Sequence, residues 1–168
     1  MQDEDAAKAT PGGGNMSVVN KLSSEDQARV FANSPLNQQE KPKAGHRLLV
    51  VEDDSSLAHL EASFLSAHGF TVVTASTGEM AIAILSDFNP DLVVLDLELP
   101  DSLTGWDVLQ VLRQYARIPV LLTTSLTPDI RRYLRTSGET RLTLDHLPKP
   151  YPMQALLKRI KRMLMIAP

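Results

Sequence analysis

The chain has 168 residues, enough for one ordinary domain of roughly 100–150 residues plus a tail and too few for two full domains. Hydrophobic residues at 43% and charged residues at 22% exclude a wholly disordered chain, and a net charge of −3 supplies no basic field for nucleic acid. With no cysteine there is no disulfide, thiolate zinc site or thiol nucleophile, and no apolar run approaches the roughly 18 residues of a membrane span.

The N-terminus is acidic where a signal peptide would be basic and then apolar, so a soluble, cytoplasmic protein without direct contact to nucleic acid or membrane is expected. Residues 1–45 differ in kind from the rest. They hold the run Pro11-Gly12-Gly13-Gly14, many polar residues and a Pro- and Lys-bearing stretch, and read as a flexible extension. The glycine run lacks the Gly-Lys-Ser/Thr of a phosphate loop. Ser23-Ser24-Glu25-Asp26 ahead of Gln27-Ala28-Arg29-Val30-Phe31 offers a short helix near 23–32, marginal by itself.

From Arg47 onward, short β-branched apolar runs alternate with helical patterns. Strands are expected at 47–52, 71–76, 92–96, 120–124 and 142–147, with successive starts 20-odd residues apart. The segments between them carry apolar residues at helical spacing, as in Leu57, Leu60, Ala62, Phe64 and Leu65. Leu48-Leu49-Val50-Val51 and Leu92-Val93-Val94-Leu95 do not alternate with polar residues, which predicts strands buried on both faces. The fold class is therefore α/β: a five-stranded parallel sheet doubly wound by five helices in residues 46–168. Ser76-Thr77-Gly78-Glu79 has capping-box spacing before one helix, and Thr127-Pro128-Asp129 supplies a cap, a first-turn proline and an acid for another. His68-Gly69 closes the first helix, Pro119 sits at a strand entrance, and the final helix is expected over 152–166.

In an open parallel sheet, ligands bind beyond the carboxyl ends of the strands. Here those ends carry Glu52-Asp53-Asp54, Asp96, Thr124 and Lys149-Pro150. Two carboxylates about 4 Å apart repel by roughly 4 kcal/mol at an effective dielectric of 20, so the acids need a cation. Lys149 offsets one charge, and the excess suits a hard divalent ion with oxygen ligands, foremost Mg²⁺. The four histidines, 46, 59, 68 and 146, have no paired ligand spacing for zinc. A metal, a carboxylate nucleophile, a hydroxyl and an ammonium match the needs of phosphoryl transfer, with Asp96 as the nucleophile.

The segments Arg47-Leu48-Leu49-Val50-Val51-Glu52-Asp53-Asp54, Asp91-Leu92-Val93-Val94-Leu95-Asp96-Leu97-Glu98-Leu99-Pro100, Ile118-Pro119-Val120-Leu121-Leu122-Thr123-Thr124 and Leu147-Pro148-Lys149-Pro150 resemble the four signature segments of bacterial response-regulator receiver domains. The match covers about residues 46–168, and four segments in order are far more specific than any one. The resemblance implies the flavodoxin-like receiver fold of a two-component phosphorelay. It implies that Glu52 and Asp53 hold Mg²⁺, that Asp96 is both phosphoacceptor and metal ligand, and that the carbonyl of Glu98 completes the protein ligands. It further implies that Thr124 and Lys149 contact the phosphoryl group and that the Lys149–Pro150 bond is cis.

The chain departs from the family pattern by about one extra residue between Pro100 and Gly105 and about three between Thr124 and Lys149, so residues 137–142 have the least determined geometry. The family's switch aromatic aligns with His146, and the positions flanking the path of hydrolytic water align with Glu98 and Leu126. An apolar Leu126 is expected to shield the phosphoryl group and prolong the phosphorylated state. Plainer readings stand beside several of these. Asp54 is more simply a helix cap than a third ligand, Trp106 a packing residue, and His146 a satisfied structural histidine as readily as a switch. The basic group Arg131, Arg132, Arg135, Lys158, Arg159, Lys161 and Arg162 either solvates a face or binds a partner.

The expectation is a phosphoacceptor switch, not an enzyme with a separate substrate. A sensor histidine kinase or histidine phosphotransfer protein donates to Asp96, and an unknown downstream protein reads the last two helices. After Lys149 only 19 residues remain, which leaves no room for an output domain within this sequence, whether it is a stand-alone protein or a piece of a larger one. The alternatives are an aspartate-nucleophile phosphatase-like enzyme, suggested by Asp96-Leu97-Glu98, a degenerate receiver acting as scaffold, and a flavin-binding module, which the acidic end of the first strand disfavours.

Overall fold

A computed structural model describes residues 45–100, 102–115, 117–125 and 127–166. The expected tail helix near 23–32, and with it nearly all of the 1–45 extension, lies outside the described residues.

The elements run β1 (Arg47–Val51), α1 (Ser55–Ala67), β2 (Thr71–Ala75), α2 (Gly78–Phe88), β3 (Leu92–Asp96), α3 (Gly105–Tyr115), β4 (Val120–Thr124), α4 (Thr127–Thr136), β5 (Leu144–Pro148) and α5 (Met153–Met163). All strand pairings are parallel, in the order β2-β1-β3-β4-β5. The unbroken apolar runs have the expected cause, because alternate residues of one strand feed two cores. Leu49, Val51, Val93, Leu95, Val120 and Leu122 pack with Ile82 of α2, Leu109 and Leu112 of α3 and Ile130 of α4. Leu48, Val50, Leu92, Val94 and Leu121 face the other way, against Leu65 of α1 and Leu156 and Ile160 of α5. Burial on both sides by helices is what drives a parallel sheet together.

Several helix ends follow the sequence directly. The Asp54 carboxylate accepts the N–H groups of Ser56 (2.9 Å) and Leu57 (3.1 Å), so it caps α1 as the plainer reading held. Gly69 after α1 takes φ +88°, a left-handed conformation that favours glycine. Trp106 packs edge-on against Tyr133 with ring centroids 5.1 Å apart, which makes it a packing residue.

Four expectations need correction. α2 is capped by Thr77, whose Oγ1 accepts the Met80 N–H, while Glu79 receives a bond from the Ser102 hydroxyl instead of closing a capping box on Ser76. Leu60 is 52% exposed, and the buried stripe of α1 runs through Ala58, Glu61 and Leu65. α5 occupies Met153–Met163 with Pro152 as its N-cap, shorter than 152–166. β5 starts at Leu144, because Leu142 and Thr143 belong to a turn in which Thr143 and Leu144 both donate their N–H to the Thr140 carbonyl.

That turn lies in the region of least determined geometry, and Arg113 of α3 holds it. Its guanidinium donates to Glu139 (2.7 Å) and to the carbonyls of Ile118 and Thr143 (3.0 Å each). One planar fork thus ties the α4–β5 connection to the entrance of β4.

Candidate functional site

The chain leaves β1 for β2 on one side and returns to β3 on the other, so the strand order reverses between β1 and β3 and opens a crevice at their carboxyl ends. Val51 pairs with Leu95, which sets Glu52 level with Asp96. Asp96 pairs with Thr123 and Thr124 with Pro148, placing Thr124 and Lys149 on the same rim. Gly105 keeps the first turn of α3 against this rim. A Cβ there would stand 2.2 Å from the Asp96 carbonyl oxygen, so any other residue would push helix and strand apart.

Glu52, Asp53 and Asp96 bring one carboxylate oxygen each to within 4.8 Å of one another. Glu52 and Asp96 are buried and Asp53 is exposed. At such a separation a pair of unit charges repels by about 3 kcal/mol at an effective dielectric of 20. Lys149 Nζ relieves part of this by donating to Glu52 Oε2 at 2.7 Å and to Asp96 Oδ2 at 2.8 Å. Burial and the neighbouring Asp96 charge push the Glu52 pKa up against the pull of Lys149, and the net shift is upward. Burial also opposes the Lys149 charge, but its bonds to Asp96 and Glu52 outweigh that and raise its pKa.

When ionised, three carboxylates against one ammonium leave an excess of negative charge in a set of oxygen donors. That chemistry suits a hard divalent cation such as Mg²⁺, and among the described residues no histidine joins the group. Asp54 is not part of it either.

The remaining candidates sit where their strands carry them. The Thr124 side chain is fully buried, and its hydroxyl lies 3.3 Å from Glu98 Oε2, which also accepts the Ser125 N–H at 2.8 Å. The Glu98 N–H in turn donates to Asp96 Oδ1 at 2.9 Å. The Lys149–Pro150 bond is cis. His146 is half-buried on β5, and its Nε2 has no partner among the described residues, so the reading of a satisfied structural histidine fails at that atom. Burial holds its pKa down, with Arg131, Arg159 and Arg141 adding to the effect and Asp145 opposing it. Leu126 lies outside the described residues.

Two polar constellations escaped the sequence reading. Glu61 of α1 is buried and accepts the Tyr151 hydroxyl at 2.5 Å. Burial drives its pKa up to about 7 against the pull of Tyr151. Its signal was an acid at i+4 from Leu57 and i−4 from Leu65, on a stripe that should be apolar. Asp145 of β5 is buried and paired with Arg159 (2.6 Å) and Arg162 of α5. Two members of the basic group are therefore committed within the domain.

Comparison with known proteins agrees with this geometry. Residues 48–161 match the family model described as the response regulator receiver domain. The chain is similar to the transcriptional regulatory protein CpxR of Klebsiella pneumoniae subsp. pneumoniae (strain HS11286), 36% identical over 119 residues that cover 71% of this chain and 49% of that protein. It is also similar to the DNA-binding response regulator MtrA of Mycolicibacterium paratuberculosis (strain ATCC BAA-968 / K-10), 33% identical over 115 residues, or 68% of this chain and 49% of that one. The chain spans about half the length of these curated relatives. Among solved structures, the Vibrio cholerae chemotaxis protein CheY4 superposes with a TM-score of 0.62 at 28% identity, over 71% of this chain and 99% of that one. With a family model spanning most of the chain, a five-stranded sheet in this order and an acid-lysine rim at its crevice, the chain belongs to the response regulator receiver domain family.

Proposed function

We propose that Asp96 accepts a phosphoryl group from a sensor histidine kinase or a histidine phosphotransfer protein in a Mg²⁺-dependent reaction, and that a partner protein reads the result. The observation that carries this reading is the buried Asp96 carboxylate, grouped with Glu52 and Asp53 and held by Lys149 at 2.8 Å. In that position one Asp96 oxygen forms a bond to phosphorus while the bond from phosphorus to the donor nitrogen breaks, and the imidazole departs. Glu52, Asp53 and Asp96, with the carbonyl of Glu98, would hold the Mg²⁺. The ion would supply charge neutralisation for the transferred oxygens. Lys149 can transfer its donors from Asp96 to those oxygens, and Thr124 can add its hydroxyl. The new charge biases an existing equilibrium between two arrangements of α4, β5 and α5, in which His146 stands at the switch position.

The proposed output surface lies on α4 and α5, where Lys158, Lys161 and the arginines of α4 remain to meet a partner. The DNA binding in the name of MtrA belongs to a protein of which the match covers about half, and we propose no direct nucleic-acid contact for this domain. Incubation with a small acyl-phosphate donor and Mg²⁺ is expected to add one phosphoryl group per chain, and Asp96→Asn to abolish the addition. Labelling that persists in the variant would place the acceptor elsewhere.

A further inference from the structure

Three hydrogen-bond donors stand at the crevice rim that carries Asp96: Lys149 Nζ, the Thr124 hydroxyl and the Ser125 N–H. Lys149 is shared between Glu52 and Asp96. The other two already face an anion. Glu98 Oε2 accepts the Ser125 N–H at 2.8 Å and stands 3.3 Å from the Thr124 hydroxyl, in donor geometry. Glu98 reaches them from the loop after β3, where its own N–H is anchored on Asp96 Oδ1 at 2.9 Å. One residue thus holds the nucleophile through its backbone and occupies the donors at the end of β4 through its side chain. A glutamate carboxyl is ionised at neutral pH, so the group that holds these donors is an anion.

We propose that the Glu98 carboxylate is an internal occupant of the phosphoryl pocket, an anion of the chain itself that a phosphoryl group on Asp96 must displace to reach the Thr124 hydroxyl and the Ser125 N–H. The inference rests on the reading of Asp96 as phosphoacceptor. Both anions need the same two donors, and neither donor can serve two carboxylate or phosphoryl oxygens at full strength. Glu98 is exposed, so its carboxylate can swing into water without being buried unpaired elsewhere. The exchange therefore slows phosphorylation and weakens capture of phosphoryl mimics without forbidding either. It also releases the side-chain link between the β3–α3 loop and the β4–α4 turn, which converts occupancy of the pocket into freedom of the segment leading to α4. Glu98 acts here by competition for donors and is a positioning residue, not a catalytic one.

The test compares wild type with Glu98→Ala, Glu98→Gln and Glu98→Asp, with Asp96→Asn as control. Each is assayed for the rate of phosphorylation by acetyl phosphate with Mg²⁺ and for affinity toward beryllofluoride. Glu98→Ala is expected to phosphorylate about tenfold faster and to bind beryllofluoride about tenfold tighter, the effect of removing one charge-assisted pair of hydrogen bonds at an exposed site. Glu98→Asp decides between occupancy and simple repulsion. It keeps the charge but is one methylene too short to span to Ser125, so occupancy predicts behaviour close to Glu98→Ala and repulsion predicts behaviour close to wild type. In wild type, beryllofluoride should also shift the Glu98 carboxyl carbon resonance toward its free-solvent value, and Glu98→Ala should shift the Ser125 amide proton upfield before any ligand is added. Wild-type rates in Glu98→Asp, or equal rates in all Glu98 variants with labelling still on Asp96, overturn the occupancy proposal alone. Absence of labelling in every protein, or labelling in Asp96→Asn, overturns the phosphoacceptor reading beneath it.

Discussion

Tyr151 donates its hydroxyl to Glu61 Oε1 at 2.5 Å, while the second oxygen of that carboxyl is buried with no partner among the described residues. A single hydrogen bond is poor compensation for an ionised carboxylate inside a domain, and burial accordingly lifts the Glu61 pKa from 4.5 to about 7. In the unfolded chain Glu61 loses its proton near pH 4.5, whereas in the folded domain it keeps it until about pH 7. The unfolded state binds fewer protons across that window, so this group lowers stability as pH rises from 4.5 to 7 and adds nothing further above. The full cost is at most about 3 kcal/mol. Glu61→Gln is expected to be more stable than wild type at pH 8, with the gain vanishing near pH 4.5. Urea denaturation at a series of pH values measures this directly. A gain that does not depend on pH would show that ionisation of Glu61 is not its source.

The acids at the crevice are expected to respond to loss of Lys149 and to addition of Mg²⁺. With chelator present, Lys149→Met should lose about 3 kcal/mol, because it leaves Glu52 and Asp96 buried beside each other without their shared ammonium. Asp53→Asn should instead gain about 1 kcal/mol in chelator, since Asp53 is exposed and its repulsion is screened, and should lose most of the stabilisation that Mg²⁺ gives wild type. Melting temperatures with chelator and with Mg²⁺ check both. Asp53→Asn that responds to Mg²⁺ like wild type would remove Asp53 from the ligand set.

Loss of the phosphoryl group needs an in-line water. Replacing the apolar Leu126 by Asn or Glu is expected to speed dephosphorylation several-fold with Mg²⁺ affinity unchanged, because the substitution adds a group that orients water without adding a metal ligand. Following the decay of labelled protein after removal of the donor settles the point. A rate equal to or slower than wild type would mean that access past this position does not limit hydrolysis.

Deleting residues 1–44 should leave the melting temperature and the phosphorylation rate unchanged, since among the described residues both cores and the acid-lysine rim are built from residue 48 onward. A clear fall in melting temperature would assign the segment near 23–32 a docked position on the domain.

Strand positions and the acid-lysine rim were legible because each depends on local information. β-branched runs without alternation mark strands buried on both faces, and in a parallel sheet the residue after each run must lie at the carboxyl edge. Asp96, Thr124 and Lys149 could therefore be placed together before any contact was known. The start of β5 was not legible in the same way. Leu142 and Thr143 have strand-like side chains, and the turn that claims them depends on Thr140 as acceptor and on Arg113, which arrives from a helix 30 residues earlier. Local propensity cannot register so distant a donor.

The sequence by itself determined the doubly wound sheet and the residues at the crevice, because periodicity and strand-end position are properties of consecutive residues, and it pointed to the family through the resemblance of four short segments. Only the tertiary structure decided how those residues are spent. It assigned Lys149 to two carboxylates at once, Arg159 and Arg162 to Asp145, and the Glu98 carboxylate to the donors of Thr124 and Ser125. A side chain lists what it is able to donate or accept, but the partner it finds is set by register and helix packing between segments that lie tens of residues apart. Hydrogen bonds are short and directional enough that only the folded arrangement selects among several chemically equal candidates.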